Sequence, residues 1–122
     1  MLQVLVIDDH PGSLAMMDFF LTTHGFRVTS ARSASEAVLR ALEEPPDVVL
    51  TEYHLAEIDG ARLGDLLRAI PGLSATPMVA LASSATSASG RAFDEVLAKP
   101  IAHGRVGEAL RRCMRRRRRV RV

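Results

Sequence analysis

The sequence predicts an α/β fold: one doubly wound sheet of five parallel strands with helices on both faces. Three observations predict it. Short apolar, β-branched runs alternate along the chain with segments whose apolar residues recur at helical spacing. The runs are apolar throughout rather than at every second position, as in strands covered on both faces. The 122 residues suffice for one hydrophobic core, and no linker or internal repeat divides them. Right-handed crossovers then restrict the topology to a doubly wound sheet.

Leu2 to Ile7 forms the first strand and ends in Asp8 and Asp9. Leu14, Met17 and Leu21 recur at helical spacing, and Gly25 follows as a C-cap. Phe26–Ser30 is a second, weaker strand. Ser33 with Glu36 makes a capping box for a helix whose buried face runs through Ala34, Ala37, Val38, Ala41 and Leu42. Pro45 and Pro46 stop it, and Asp47–Glu52 supplies the third strand. After a loop to Asp59 and Gly60, Leu63, Leu66, Leu67 and Ile70 face one way on a third helix. Pro77–Ala82 is the fourth strand. Residues 83–94, mostly Ser, Ala, Thr and Gly, make at best a short, truncated fourth helix. Glu95–Ala98 is the fifth strand, Lys99 and Pro100 follow it, and Val106, Ala109, Leu110, Cys113 and Met114 trace the face of a fifth helix.

The charge is unevenly placed. Residues 111–122 carry eight arginines and no acid, whereas the rest of the chain holds eight basic and fourteen acidic residues and stands at −6. The chain therefore divides into an acidic domain, 1–114, and an Arg-rich tail, 115–122. Five consecutive arginines, Arg115–Arg119, repel one another and are expected to fray unless an anionic partner engages them. Without interleaved aromatics, base stacking has no support, so nucleic acid enters only as a partner of Arg115–Arg119. The start MLQVLVIDDH lacks a basic n-region, and no apolar run reaches membrane-spanning length, so a cytoplasmic location is expected. The single cysteine, Cys113, fits a reducing compartment and reads as a buried small hydrophobe.

In doubly wound sheets the site lies beyond the carboxyl ends of the strands. There stand Asp8 and Asp9, Glu52, Ala82 and Ser83, and Lys99. Three carboxylates at close range raise one another's pKa, and a hard divalent cation relieves that. An ammonium beside them suits an anion such as a phosphoryl group. The residue types thus point to a Mg²⁺-assisted phosphoryl site. Thr51 points away on an alternating strand. His10 and His54, which flank the site in loops, read as solvated, and His24 and His103 carry no signal.

VLVIDDHP, PDVVLTEYHLAEIDG, TPMVALAS and VLAKP resemble, in order, the signature blocks of response-regulator receiver domains of the chemotaxis-regulator kind. The resemblance spans residues 1 to about 115. It implies a flavodoxin-like sheet of order 2-1-3-4-5. It implies further a two-component phosphorelay with a histidine kinase as partner, a possible homodimer, and no catalysis beyond the domain's own phosphorylation and dephosphorylation. Asp8 and Asp9 match the acidic pair that holds Mg²⁺, with Glu52 as a third metal ligand, and Lys99 matches the phosphate-pairing lysine.

The departures fall elsewhere. Glu52 stands where the phosphoacceptor aspartate belongs, unless the register shifts to Glu57 or Asp59. Ala56 replaces a proline, Ala82 falls on the switch Ser/Thr position with Ser83 just beyond, and Val96 replaces the switch aromatic. The interval from Ala82 to Lys99 is shorter than the family's. Glu reaches about 1.5 Å further than Asp, and an error of about 1 Å costs about 10²-fold in a positioned reaction. The expected function is a stand-alone pseudo-receiver acting by protein contact. The alternatives are a phosphoryl-accepting receiver and a polyanion-binding protein acting through its Arg tail.

Overall fold

The computed structural model of the chain describes residues 1–83 and 92–120. In chain order the elements are β1 (Leu2–Ile7), α1 (Pro11–Thr23), β2 (Phe26–Ala31), α2 (Ala34–Glu43), β3 (Val48–Glu52), α3 (Gly60–Arg68), β4 (Met78–Ala82), β5 (Glu95–Ala98) and α4 (His103–Val120). The expected short helix in 83–94 falls largely on residues 84–91, outside the described residues, so the expected fifth helix is here α4. All strands are parallel, in the order β2-β1-β3-β4-β5.

Strand alternation divides the core between the two faces. Val4 and Val6 of β1, Val48 and Leu50 of β3, and Val79 and Leu81 of β4 pack with Leu14, Met17 and Leu21 of α1 and Val106, Leu110, Cys113 and Met114 of α4. Leu5, Ile7, Val49 and Met78 turn the other way, onto Ala37 and Ala41 of α2 and Leu63 and Leu67 of α3. The apolar runs are continuous because each strand feeds both layers.

Local chemistry sets the boundaries. Pro11 occupies the first turn of α1, where its missing N–H costs nothing. Gly25, at φ +90°, carries the chain out of that helix in a conformation that favours glycine. The Ser33 hydroxyl accepts the Glu36 N–H at 3.1 Å, one half of the expected capping box. The other acid at this helix start is Glu57, which accepts the Ala34 N–H.

Two expectations fail on the helices. Leu42 and Leu66 are 58% and 44% exposed. Each is next to a residue that points straight into the core, Ala41 before Leu42 in α2 and Leu67 after Leu66 in α3, and one residue turns a helix by about 100°. The stripes are therefore narrower than the sequence suggests. The C-terminus also differs. Instead of fraying after Met114, α4 continues to Val120. Arginine is a good helix former, cations favour a helix C-terminus, and Glu95 on β5 accepts ion pairs from Arg112 at 2.9 Å and Arg116 at 3.5 Å.

Candidate functional site

At the carboxyl edge of the sheet the register brings Ile7 beside Thr51, Glu52 beside Leu81, and Ala82 beside Ala98. The ladder then continues one bond beyond the strands. The Asp8 N–H donates to the Ala31 carbonyl (3.1 Å), Tyr53 N–H to Leu81 (2.8 Å), and Lys99 N–H to Ala82 (2.7 Å). The backbone at each strand end is thus fixed, which aims the side chains there.

These side chains surround an open pocket of about 500 Å³. Asp8, Glu52, Ser83 and Lys99 give its polar end, and Met16, Met17, Leu81, Pro100 and Ile101 its apolar wall. The Lys99 ammonium bonds directly to Glu52 Oε1. The Glu52 side chain is only 12% exposed, against 43% for Lys99, so the carboxylate is the more committed partner. Burying a carboxylate is costly unless a charge and hydrogen bonds accompany it, and Lys99 supplies both.

The other expected residues divide. Asp8 lines the pocket, with Oδ1 accepting the His10 N–H at 2.9 Å. Asp9 turns aside, and its Oδ2 accepts the Ala56 N–H at 2.7 Å, tying the end of β1 to the β3–α3 loop. Ser83 lines the pocket, whereas Ala82 is fully buried against Tyr53 on the other side of the sheet. Glu57 and Asp59, the register alternatives to Glu52, sit at helix starts: Glu57 on the Ala34 N–H, Asp59 on the Arg62 N–H at 2.9 Å. Thr51 is buried, its hydroxyl on the Glu52 carbonyl. His10 and His54 are exposed, His54 with its ring edge-on to Tyr53.

The donors present are of the kind Mg²⁺ takes, hard carboxylate oxygens at the end of β1. Among the described residues no three His, Cys, Asp or Glu side chains converge as a ready metal cage. The reason is visible in the bonds: Asp9 serves the Ala56 amide and Glu52 serves Lys99. Asp8 and Asp9 fit the ion as donors, and Glu52 joins them only by sharing its carboxylate with the ammonium.

The sequence did not single out Ser13, Met16, Ile101 and His103, which also line the pocket. Their nearness to strand ends was the available signal, but which of them turn inward depends on helix phase. His24 and His103 also flank the Phe20 ring, with centroids at 4.1 and 5.1 Å.

A second polar cluster lies on the β5–α4 side. Arg112 clasps Glu95 through Nε and Nη2, and the Cys113 thiol donates to Glu95 Oε2 at 3.1 Å while accepting from Arg116 at 3.2 Å. Burial pushes Glu95 up, but the bonds from Arg112 and Cys113 and the two guanidinium charges outweigh it and hold the carboxyl below its usual range. Burial, then the bond to Glu95, raises the Cys113 thiol to about 11. Cys113 is buried, as expected, but it is also a polar link, which its apolar neighbours in sequence did not suggest.

The family model for the response regulator receiver domain matches residues 4–111. The chain belongs to the response-regulator receiver family. The transcriptional regulatory protein KdpE of Mycobacterium tuberculosis is 31% identical over 118 residues, covering 93% of this chain and 51% of KdpE. The signal transduction histidine-protein kinase BarA of Escherichia coli K12 is 29% identical over 114 residues, covering 89% of this chain and 12% of BarA. The receiver thus spans about half or less of the length of these relatives. A crystal structure of a receiver domain protein from Clostridium thermocellum superposes with a TM-score of 0.86 at 23% identity, covering 98% of this chain and 99% of that one. The receiver is a two-component signalling domain, and among its described residues no helix is long and apolar enough to cross a membrane.

Proposed function

We propose that this receiver is a pseudo-receiver that signals by protein contact, with little or no phosphoryl transfer to Glu52. One observation carries the reading: the Lys99 ammonium, the group that would meet an incoming phosphoryl oxygen, bonds the Glu52 carboxylate in the lining of the pocket. The longer side chain delivers its carboxylate to the place where the transferred anion would sit. An attack on phosphorus would require Glu52 to release Lys99 and withdraw. With alanine at position 82, a phosphoryl oxygen also lacks the hydroxyl that the family pattern supplies there.

Mg²⁺, held weakly by Asp8 and Asp9 with Glu52 bound directly or through water, would supply charge neutralisation to an anion at this edge. Asp8 would hold the ion from the pocket side, and Asp9 would join it only on giving up its bond to the Ala56 amide. Contact with a histidine kinase or another two-component protein is supported by the apolar side chains beside the pocket: Met16 and Phe19 on α1 are 63% and 75% exposed. The cytoplasm suits such a partner.

Intact-mass spectrometry after incubation with acetyl phosphate and Mg²⁺ tests the reading. The parent mass is expected to stay unchanged, and Glu52→Asp to recover partial labelling. A stoichiometric phosphoryl adduct on the parent overturns the pseudo-receiver assignment and favours a phosphoryl-accepting receiver.

A further inference from the structure

The residue after Glu52 is the chain's one tyrosine. Tyr53 is 4% exposed. It forms a buried cluster with Ala80 and Ala82, against which Ala61, Phe93 and Val96 pack. Two of these, Ala82 and Val96, occupy the positions where the family pattern has a hydroxyl and a mobile aromatic. Both are small here, and the ring that fills the space beside them comes from the end of β3 instead.

Several segments close around the ring. A Cβ at Gly60, the first residue of α3, would lie 2.6 Å from Tyr53 Cδ2 and 3.0 Å from its Cα, so α3 starts in direct backbone contact with the ring. Phe93 meets it edge-on with centroids 6.0 Å apart. The segment carrying Phe93 is seated in turn against α3, where a Cβ at Gly64 would lie 2.5 Å from the Ala92 Cβ. Arg68 pins the same segment through the Ala92 carbonyl at 3.0 Å. The Tyr53 N–H meanwhile bonds the Leu81 carbonyl at 2.8 Å. Interiors packed to this density do not deform by small increments, because a displaced ring must find another complete packing.

We propose that Tyr53 is a positioning residue: its ring wedges the end of β3 between α3 and the β4–β5 pair, holding Glu52 on Lys99 and the switch positions 82 and 96 in one packing. Consecutive residues on a strand point to opposite faces, so Glu52 cannot leave Lys99 by moving the strand end unless the Tyr53 ring also leaves its seat. The family's movable aromatic is thereby replaced by a fixed one.

The test uses the full chain and no phosphoryl donor, so it stands apart from the labelling experiment above. Tyr53→Ala is expected to speed hydrogen exchange of the Lys99 amide at least tenfold while the β1 amides change less than twofold, and Tyr53→Phe to stay within about threefold of the parent. In a double-mutant cycle of Glu52→Gln with Lys99→Met, the coupling is expected to fall to under a third in the Tyr53→Ala background and to persist with Tyr53→Phe. A ring that only fills space leaves that coupling unchanged, and this result, or exchange rising equally in all strands, overturns the proposal. Should Tyr53→Ala fail to fold, Tyr53→Leu carries both measurements with the same criteria.

Discussion

Replacing Lys99 by methionine separates the two claims on the Glu52 carboxylate. Methionine keeps most of the stem of a residue that lines the pocket with Pro100 and Ile101 but removes the ammonium. A carboxylate whose side chain is 12% exposed then loses its charged partner. Leaving a buried group unsatisfied costs about 1–3 kcal/mol. Because Lys99 is 43% exposed, solvent offsets part of that, and the lower half of the range, about 1–2 kcal/mol, is expected. For a domain of this size that is a fall in melting temperature of about 4–10 °C. Mg²⁺ should then matter more. With Lys99 gone, Glu52 is free to join Asp8 and Asp9, so a cation that binds the folded state alone raises stability further. Thermal melts with and without 10 mM Mg²⁺ (about 10 mM suffices to populate a weak site) are expected to show a larger metal-induced shift in Lys99→Met than in the parent. If Lys99→Met melts like the parent, the Glu52–Lys99 pair carries no weight. If its metal response is equal or smaller, the competition between ammonium and Mg²⁺ is refuted.

Glu95→Gln should flatten the acid limb of the stability curve. The folded carboxyl lies below its usual range, held there against burial by Arg112, Cys113 and Arg116. Its contribution is therefore present above the unfolded value, about 4.3, and lost as pH falls through the lower folded one; urea titrations at stepped pH check this, and parallel curves for parent and variant would refute it. Deleting residues 115–122 should leave the domain folded with a loss of no more than about 1 kcal/mol, since Arg116 is half exposed in its pair with Glu95. A large drop in melting temperature would show that the end of α4 is a structural brace rather than a tail.

The sequence by itself determined the alternation of strands and helices, the two-sided burial of the strands, and the strand-end address of Asp8, Glu52, Ser83 and Lys99. These follow from local rules: apolar runs, helical spacing, proline and glycine punctuation. The resemblance added the strand order. Only the tertiary structure decided how the charges at that edge were spent. Asp8 and Asp9 are adjacent in sequence and look equivalent, yet one faces the pocket and the other bonds the Ala56 amide, 47 residues away. Glu95 and Cys113 are ordinary residues in their own segments, and they become a linked pair only because α4 crosses β5. Tyr53 reads as an unremarkable residue after Glu52. Its confinement depends on Gly60 at the start of α3 and on Phe93 and Val96 in and just before β5, segments distant from one another in sequence. Local sequence sets which way a backbone runs, but the partner of a side chain belongs to whichever distant segment the fold packs against it.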